Sequence, residues 1–186
     1  MGQIPNFHPH QISRLVMTRL LLTLTFTILF LQSNSQDLSE LEKRHGFKDI
    51  RLGMVVDSVR GVKFKKDFKE QNQYAARLYS VDHPDYSRIG EVKVKDIELK
   101  AYNDLVYEIN VIVDKDTRLM KALESIYGKA NYDMKNETYF WRAESLILKF
   151  RSSGKHNLEL QYTSFLIHKM MREDKEKKVD DIANDF

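Results

Sequence analysis

The sequence predicts an α+β fold in which a two-layer antiparallel sheet carries helices on one face. Two observations predict it. Several short segments alternate apolar and polar side chains with a period of two, as half-buried strands do. Other segments repeat apolar residues every three or four positions, as helices do. Because the links between strand segments are short, neighbouring strands should pair antiparallel.

The first half of the domain is predicted to hold one short helix and several strands. Residues 47–52 alternate apolar and polar side chains, and Gly53 ends this strand. Asp57 is placed to cap a short helix that carries Val59 and Val62 on one side. Three further strand candidates are residues 74–81, 91–99 and 105–113. The last of them is the most apolar, which predicts a central position in the sheet.

The second half repeats this order. Asp116 is placed to cap a helix that ends at Gly128. Ser164 is placed to cap a long C-terminal helix over 165–184. Its apolar first half should pack on the sheet, and its charged second half should project into solvent. The strands between these helices are residues 138–142, 145–151 and 158–163. The order indicates a helix-plus-three-strands repeat.

The N-terminal segment resembles an export signal. Met17 and Arg19 precede an apolar run over 20–31, and the small residues Ser33 and Ser35 follow it. This pattern predicts a signal peptide that is cleaved after Ser35, and a periplasmic or secreted protein. A spanning helix needs about 20 apolar residues, so an uncleaved membrane anchor is the lesser alternative.

This interpretation divides the chain into three segments. Residues 1–35 are an upstream extension and the signal peptide, 36–165 form a single α+β domain, and 166–186 form the partly projecting C-terminal helix. Removing residues 1–35, which carry two arginines and no acidic residue, lowers the formal net charge from +3 to +1. So small a charge gives no drive towards nucleic acid.

The motifs of the common enzyme classes are absent from the sequence. The chain has no Cys, which excludes a disulfide scaffold, a thiol nucleophile and a lipid carried on Cys. No HExxH, GxSxG, P-loop or GxGxxG pattern occurs. The histidines, His168 among them, are expected at the surface. We predict no catalytic residue, no cofactor and no metal. The alternative is a small hydrolase or ligand-binding domain that uses some of the plentiful carboxylates, which include Glu108 in the central strand.

Three short stretches carry a resemblance. Residues 46–54, the Tyr-Gly-Lys-Ala stretch at 127–130 and the tail ending in Asp185 and Phe186 resemble small exported uncharacterised proteins of Bacteroidota-type bacteria. The helix-plus-strands repeat also resembles the fold of SmpA/OmlA-like envelope proteins and of the beta-lactamase-inhibitor proteins. The chain departs from the lipoprotein members because it has no Cys. The resemblance implies a non-catalytic envelope or binding protein and transfers no active-site residue.

Two features are candidates for contact with a protein partner from the envelope or the secreted fraction. The apolar residues Val179, Ile182 and Phe186 recur at helical spacing on an otherwise polar helix. Such a short stripe either folds back onto the domain or meets another chain. Trp141, the sole Trp, lies between aromatic neighbours on a strand, where it either packs in the core or anchors a partner.

A lysine-rich segment is a candidate for contact with an anionic surface. Its cations are Lys63, Lys65, Lys66 and Lys69. Phe64 and Phe68 are interleaved with them, a pattern that could meet phosphates or anionic lipid. The alternative is an amphipathic segment that buries both phenylalanines and leaves the lysines solvated. Together these features predict an exported, non-catalytic binding or structural protein.

Overall fold

The computed structural model describes residues 38–186. The helices in this range are α1 (Ser39–Arg44), α2 (Thr117–Tyr127) and α3 (Phe165–Asn184), with single 3-10 turns at Val56–Ser58 and Pro84–Tyr86. The strands are β1 (Gly46–Phe47), β2 (Ile50–Arg51), β3 (Val62–Glu70), β4 (Tyr74–Val81), β5 (Arg88–Ile89), β6 (Val92–Tyr102), β7 (Leu105–Asp114), β8 (Asn131–Asp133), β9 (Thr138–Arg142), β10 (Leu146–Ser152) and β11 (Asn157–Ser164). The predicted signal peptide and its cleavage site lie outside the described residues.

Most of the strands form one large antiparallel sheet in the order β3-β4-β6-β7-β11-β10-β9-β8. The short β5 pairs with β6, and β1 and β2 form a separate ribbon. The sheet consists of two runs of four strands, one from each half of the chain, which meet where β7 pairs with β11. The α+β prediction is therefore confirmed, and β7, the most apolar candidate, lies in the interior of the sheet.

The two faces of the sheet carry two separate clusters of buried residues. The larger cluster contains residues of α1 and α2, including Leu41 and Leu119. The smaller one contains Ile167 and Met171 of α3. Neighbouring residues of a strand point to opposite faces, and the end of β6 divides its residues between the two clusters. The helix α3 therefore lies on the face opposite α1 and α2, and the expectation that all helices share one face is not confirmed.

A β-bulge in β7 turns two consecutive side chains towards the sheet face that α3 covers. Lys100 pairs with Glu108 and Ala101 pairs with Val106, which leaves Tyr107 as an extra residue. Because a bulge shifts the alternation by one position, Tyr107 and Glu108 both face the side of the sheet that α3 covers. Simple alternation along this strand would have placed them on opposite faces.

The helix predicted after Asp57 does not form, and residues 57–70 fold differently. The expected helix after Asp57 is a single 3-10 turn. The lysine-rich segment that follows is β3, a nine-residue edge strand. The first half of the chain therefore opens with a strand where a helix was expected, and the predicted helix-plus-three-strands repeat does not describe it. The helices α2 and α3 begin at the predicted caps, with Asp116 and Ser164 each accepting a backbone N–H.

A partner-binding candidate on the C-terminal helix

The first turns of α3 are fixed to the sheet. Ser164 ends β11 and caps α3, its hydroxyl oxygen accepting the backbone N–H of Ile167 at 3.3 Å. The backbone N–H of Phe165 donates to the carbonyl oxygen of Ser145 at 2.8 Å. Ile167 and Met171 are buried against Tyr107 and its neighbours. The apolar first half of α3 thus packs on the sheet, as its sequence predicts.

A charged cluster lies on this face of the sheet beside α3. The Nζ atom of Lys100 is 2.9 Å from Oε1 of Glu108 and 3.4 Å from Oε2 of Glu70. The hydroxyl of Tyr107 donates to Oε2 of Glu70 at 2.7 Å. The ring of His168, on α3, meets the ring of Tyr107 edge to face, with centroids 5.2 Å apart. We call these five residues the ion-pair cluster.

Burial and the contacts within the ion-pair cluster shift the pKa values of Lys100, Glu70 and His168. Burial alone would lower the pKa of Lys100, but the carboxylates of Glu108 and Glu70 outweigh it and raise this pKa above its ordinary value. Burial would raise the pKa of Glu70, but the Tyr107 hydrogen bond and the Lys100 charge hold it below its usual value. Burial lowers the pKa of His168, so its imidazole is neutral at neutral pH.

The cluster is suited to holding structure more than to acid–base chemistry. A general acid or base needs a titrating group that can reach a substrate proton. Glu70 and Glu108 instead share one cation, and Glu70 also accepts a hydrogen bond from Tyr107. Glu108 is buried and bonded to Lys100, and His168 is half-buried against Tyr107, so the expected surface position of His168 is wrong.

The last side-chain hydrogen bonds from α3 to the rest of the described chain lie one turn further on. The carboxylate of Asp174 accepts hydrogen bonds from the hydroxyl of Tyr102 at 3.1 Å and from the side chain of Asn103 at 3.4 Å. Lys175 donates to the side-chain oxygen of Gln73 at 2.6 Å. Every residue from 176 to 186 is exposed. We call residues 176–186 the helical arm; nine of its residues are helical and extend the axis by roughly 14 Å, at about 1.5 Å per residue.

The helical arm presents an apolar stripe. Val179 is 56% exposed, Ile182 is 61% exposed and Phe186 is fully exposed. Asp180, Asp181 and Asp185 alternate with the stripe, whereas Lys175, Lys177 and Lys178 lie just before it. The stripe therefore does not fold back onto the domain, which was one of its two predicted outcomes. It is available for contact with another molecule.

Trp141 has a different role from the predicted partner contact. Its side chain is fully buried, and its Nε1–H donates to the carbonyl oxygen of Gly128 at 2.7 Å. Its ring also meets the ring of Tyr127 edge to face, with centroids 6.1 Å apart. Trp141 is therefore a core residue beneath α2 and cannot reach a partner from this position.

The four candidate lysines lie on the edge strand β3. The Nζ atom of Lys65 is 2.7 Å from a carboxylate oxygen of Glu98, and that of Lys63 is 3.5 Å from one of Asp82. Lys66 and Lys69 have no ion pair among the described residues. Lysines on an edge strand discourage pairing with another sheet, and this role accounts for their pattern. Contact with an anionic surface stays a prediction. Lys66 and Lys69 are the two lysines of the four that have no ion pair in the described residues and could make this contact.

The aromatic residues of β3 do not form one buried stripe. Phe64 is 56% exposed beside Tyr79, with ring centroids 5.7 Å apart. Phe68 packs on the other face with the α3 cluster, where the Nζ atom of Lys100 lies 5.7 Å from its ring centroid. The expected amphipathic segment that buries both phenylalanines together is wrong, because a β-bulge between Phe64 and Lys66 turns Phe64 and Phe68 to opposite faces of the sheet.

The chain matches no protein-family model, no curated protein and no solved structure. Within residues 38–186, no helix is long and apolar enough to cross a membrane. The same residues hold no group of three or more histidines and acids placed to bind a metal ion.

Proposed function

We propose that this chain is an exported, non-catalytic binding protein of the bacterial envelope and that its helical arm is the element that docks on a protein partner. The observation that carries the proposal is the exposed stripe of Val179, Ile182 and Phe186 on a helix whose base is fixed to the sheet. Export rests on the sequence pattern of residues 17–36. Sequencing the mature N-terminus tests it, with Gln36 as the expected first residue.

The arm fits recognition of a helix in a groove. Such complexes bury residues at i, i+3 or i+4 and i+7 of the docking helix in an apolar groove of the partner. Val179, Ile182 and Phe186 have this spacing. Because Asp180, Asp181 and Asp185 flank the stripe, the complementary groove has a basic rim.

The energetic contribution of the stripe can be bounded. Fully burying a side chain such as Ile or Phe contributes about 1.5–3 kcal/mol. Loss of one anchor should therefore weaken the complex by about tenfold or more. The free protein should keep its stability, since the side chains of Ile182 and Phe186 are exposed.

Site-specific cross-linking in the intact envelope tests the proposal. A photo-reactive residue replaces Ala183, which is exposed on the arm, and the captured protein is then purified and titrated with the unlabelled chain. We expect Ile182→Asp and Phe186→Asp to abolish the cross-link and to raise the Kd by at least about tenfold, with an unchanged Tm.

The matched control is Met134→Asp. It places the same charge at an exposed apolar residue in the turn between β8 and β9, away from α3, and should leave the cross-link and the Kd unchanged. If the arm variants bind as well as the unmodified chain, or if they lose binding only together with a lower Tm, the arm is not the docking element.

A further inference from the structure

A hollow lies on the same face of the sheet as α3. It is formed mainly by β9 and β10, and its volume is about 400 Å³. Trp141 of β9 and Leu148 of β10 are buried in the larger cluster on the other face, so their neighbours along each strand point into the hollow. These neighbours are Phe140, Arg142, Ile147 and Lys149.

The floor of the hollow combines apolar and positively charged side chains. Arg142 pairs with Ile147 across the two strands, and Lys149 pairs with Phe140, so the two cations lie on one diagonal and the two apolar side chains on the other. Neither cation has an ion pair in the part of the chain that the structure describes. The Arg142 guanidinium lies 4.5 Å from the ring centroid of Phe165, a contact that does not use the N–H donors that bind carboxylates.

The other charged side chains of the hollow are already bonded. Arg151 donates to the two carboxylate oxygens of Glu159, at 2.6 and 3.0 Å. Asp133 accepts a hydrogen bond from the side chain of Asn136 at 2.6 Å, and Lys149 contributes least to the lowered pKa of its carboxyl. The two cations without an ion pair therefore face an occupant of the hollow. They favour a segment that presents apolar and acidic side chains together.

The helical arm is a segment of this kind. Residues 179–186 carry three aspartates and no cation. Asp181 directly precedes Ile182, and Asp185 directly precedes Phe186, so each of these two exposed apolar side chains has a carboxylate next to it. The hollow has a volume within the range of pockets that enclose a drug-sized ligand, about 300–1,000 Å³. It therefore has room for two apolar side chains of the stripe.

The arm cannot fill the hollow of its own chain. One side of the hollow lies beside Phe165, the first residue of α3. Ile182 lies about five turns further along the same helix, roughly 26 Å away. The arm that fills the hollow therefore belongs to another molecule.

We propose that the partner of the helical arm is a second copy of this chain, with the stripe packed on Phe140 and Ile147 and its aspartates beside Arg142 and Lys149. This assignment rests on the proposed docking role of the arm. Because the two surfaces differ, the contact is head to tail, from the arm of one molecule to the hollow of the next. The arm has 11 residues, fewer than the about 20–30 on each side of a stable interface, so the association is reversible.

Sedimentation velocity over a series of concentrations tests the assignment on the protein purified from the envelope. We expect self-association with a Kd below about 100 μM, and added salt should weaken it because charges contribute to the contact. Ile182→Asp in the arm and Lys149→Glu in the hollow should each raise this Kd at least about tenfold, with an unchanged Tm. The control is Lys66→Glu, the same charge reversal at an exposed lysine of β3, at the opposite edge of the sheet. It should self-associate normally.

Mixing the two variants is the sharper test. The Ile182→Asp molecule keeps an intact hollow, and the Lys149→Glu molecule keeps an intact arm. Each variant should be largely monomeric alone, whereas the mixture should form a one-to-one complex. A surface that contacts only its own equivalent in the other molecule would not recover in this way.

Three results would overturn the assignment. The purified protein stays monomeric at about 100 μM, Lys149→Glu associates like the Lys66→Glu control, or the mixture of the two variants stays monomeric. The photo-cross-link from Ala183 separates this failure from failure of the proposed function. Capture of a different protein by a monomeric chain refutes the second copy and leaves the arm as the docking element, whereas capture of nothing refutes both. Met134 does not line the hollow, so Met134→Asp is a control here too.

Discussion

Replacing Lys100 by Met tests whether the ion-pair cluster fixes the base of α3. The Lys100 side chain is 30% exposed, and those of its partners Glu70 and Glu108 are 18% and 12% exposed. Met preserves most of the apolar stem that lies by Phe68 but removes the charge. The substitution therefore leaves two largely buried carboxylates without their shared cation.

The size of the effect follows from this burial. Removing one partner of a fully buried ion pair costs about 3–5 kcal/mol, because the remaining charge stays buried and unpaired. The partial exposure of Lys100 lets water reach the site and reduces this cost. We expect Lys100→Met to lower the free energy of unfolding by about 2–4 kcal/mol at neutral pH. The additional variants Glu70→Gln and Glu108→Gln, combined with Lys100→Met, should restore most of it.

Urea denaturation followed by Trp141 fluorescence measures the effect, because Trp141 is the sole Trp and is fully buried. The control is Lys66→Met, which removes an exposed lysine of β3 that has no ion pair in the described residues. It should stay within about 0.5 kcal/mol of the unmodified protein.

The pH dependence gives a second check. The pKa of Glu70 is below its ordinary value in the folded protein, so its stabilising contribution is complete above its unfolded pKa of about 4.3 and is lost as the pH falls through the folded pKa. In Lys100→Met, burial without the shared cation should instead raise the pKa of the Glu70 carboxyl, so the folded variant takes up a proton between about pH 7 and pH 4 and its deficit shrinks over this range. A deficit no larger than that of Lys66→Met, or one that does not change over this pH range, would refute the reasoning.

Two further predictions concern the elements on either side of the cluster. Ser164→Ala removes the cap of α3 and should lower the free energy of unfolding by about 1 kcal/mol in urea denaturation; an unchanged midpoint would show that the cap is dispensable. Trp141→Phe removes the donor to the Gly128 carbonyl and part of the buried volume, and should cost about 2–4 kcal/mol by thermal circular dichroism. Tyr139→Phe, at a neighbouring side chain that is 40% exposed, is its control, and an equal loss in both would contradict the argument.

The parts of the fold that the sequence predicts are those with a local signal. The strand candidates at 74–81 and 105–113 closely match β4 and β7, and α2 begins and ends where Asp116 and Gly128 place its caps. The edge strand β3 was missed because an edge strand buries little, and lysines replace the apolar alternation. The side of the sheet that α3 covers was missed because periodicity gives the width of an apolar face and not its partner.

The candidate sites also differ in whether a local sequence signal reveals them. The stripe of the helical arm is visible in the sequence because its residues are close together along one helix. The ion-pair cluster joins residues from β3, β6, β7 and α3, and the bulge that turns Tyr107 and Glu108 to one side has no sequence signal.

The anchored base and the exposed arm of α3 depend on one another. Isolated helices shorter than about 12–15 residues are marginal in water, because forming the first turn is unfavourable whereas adding residues to an existing turn is not. The arm has only 11 residues in 176–186, but it continues from turns that Ile167, Met171 and the ion-pair cluster hold in place. Its helix is therefore formed before it meets a partner, which lowers the entropic cost of docking. It follows that Lys100→Met should weaken partner binding without touching the stripe, whereas Ile182→Asp should weaken binding without destabilising the sheet. The two variants should therefore both weaken binding, but only Lys100→Met should also lower stability. A loss of binding in Lys100→Met distinguishes an arm whose helix is held by the fold from one that is merely exposed.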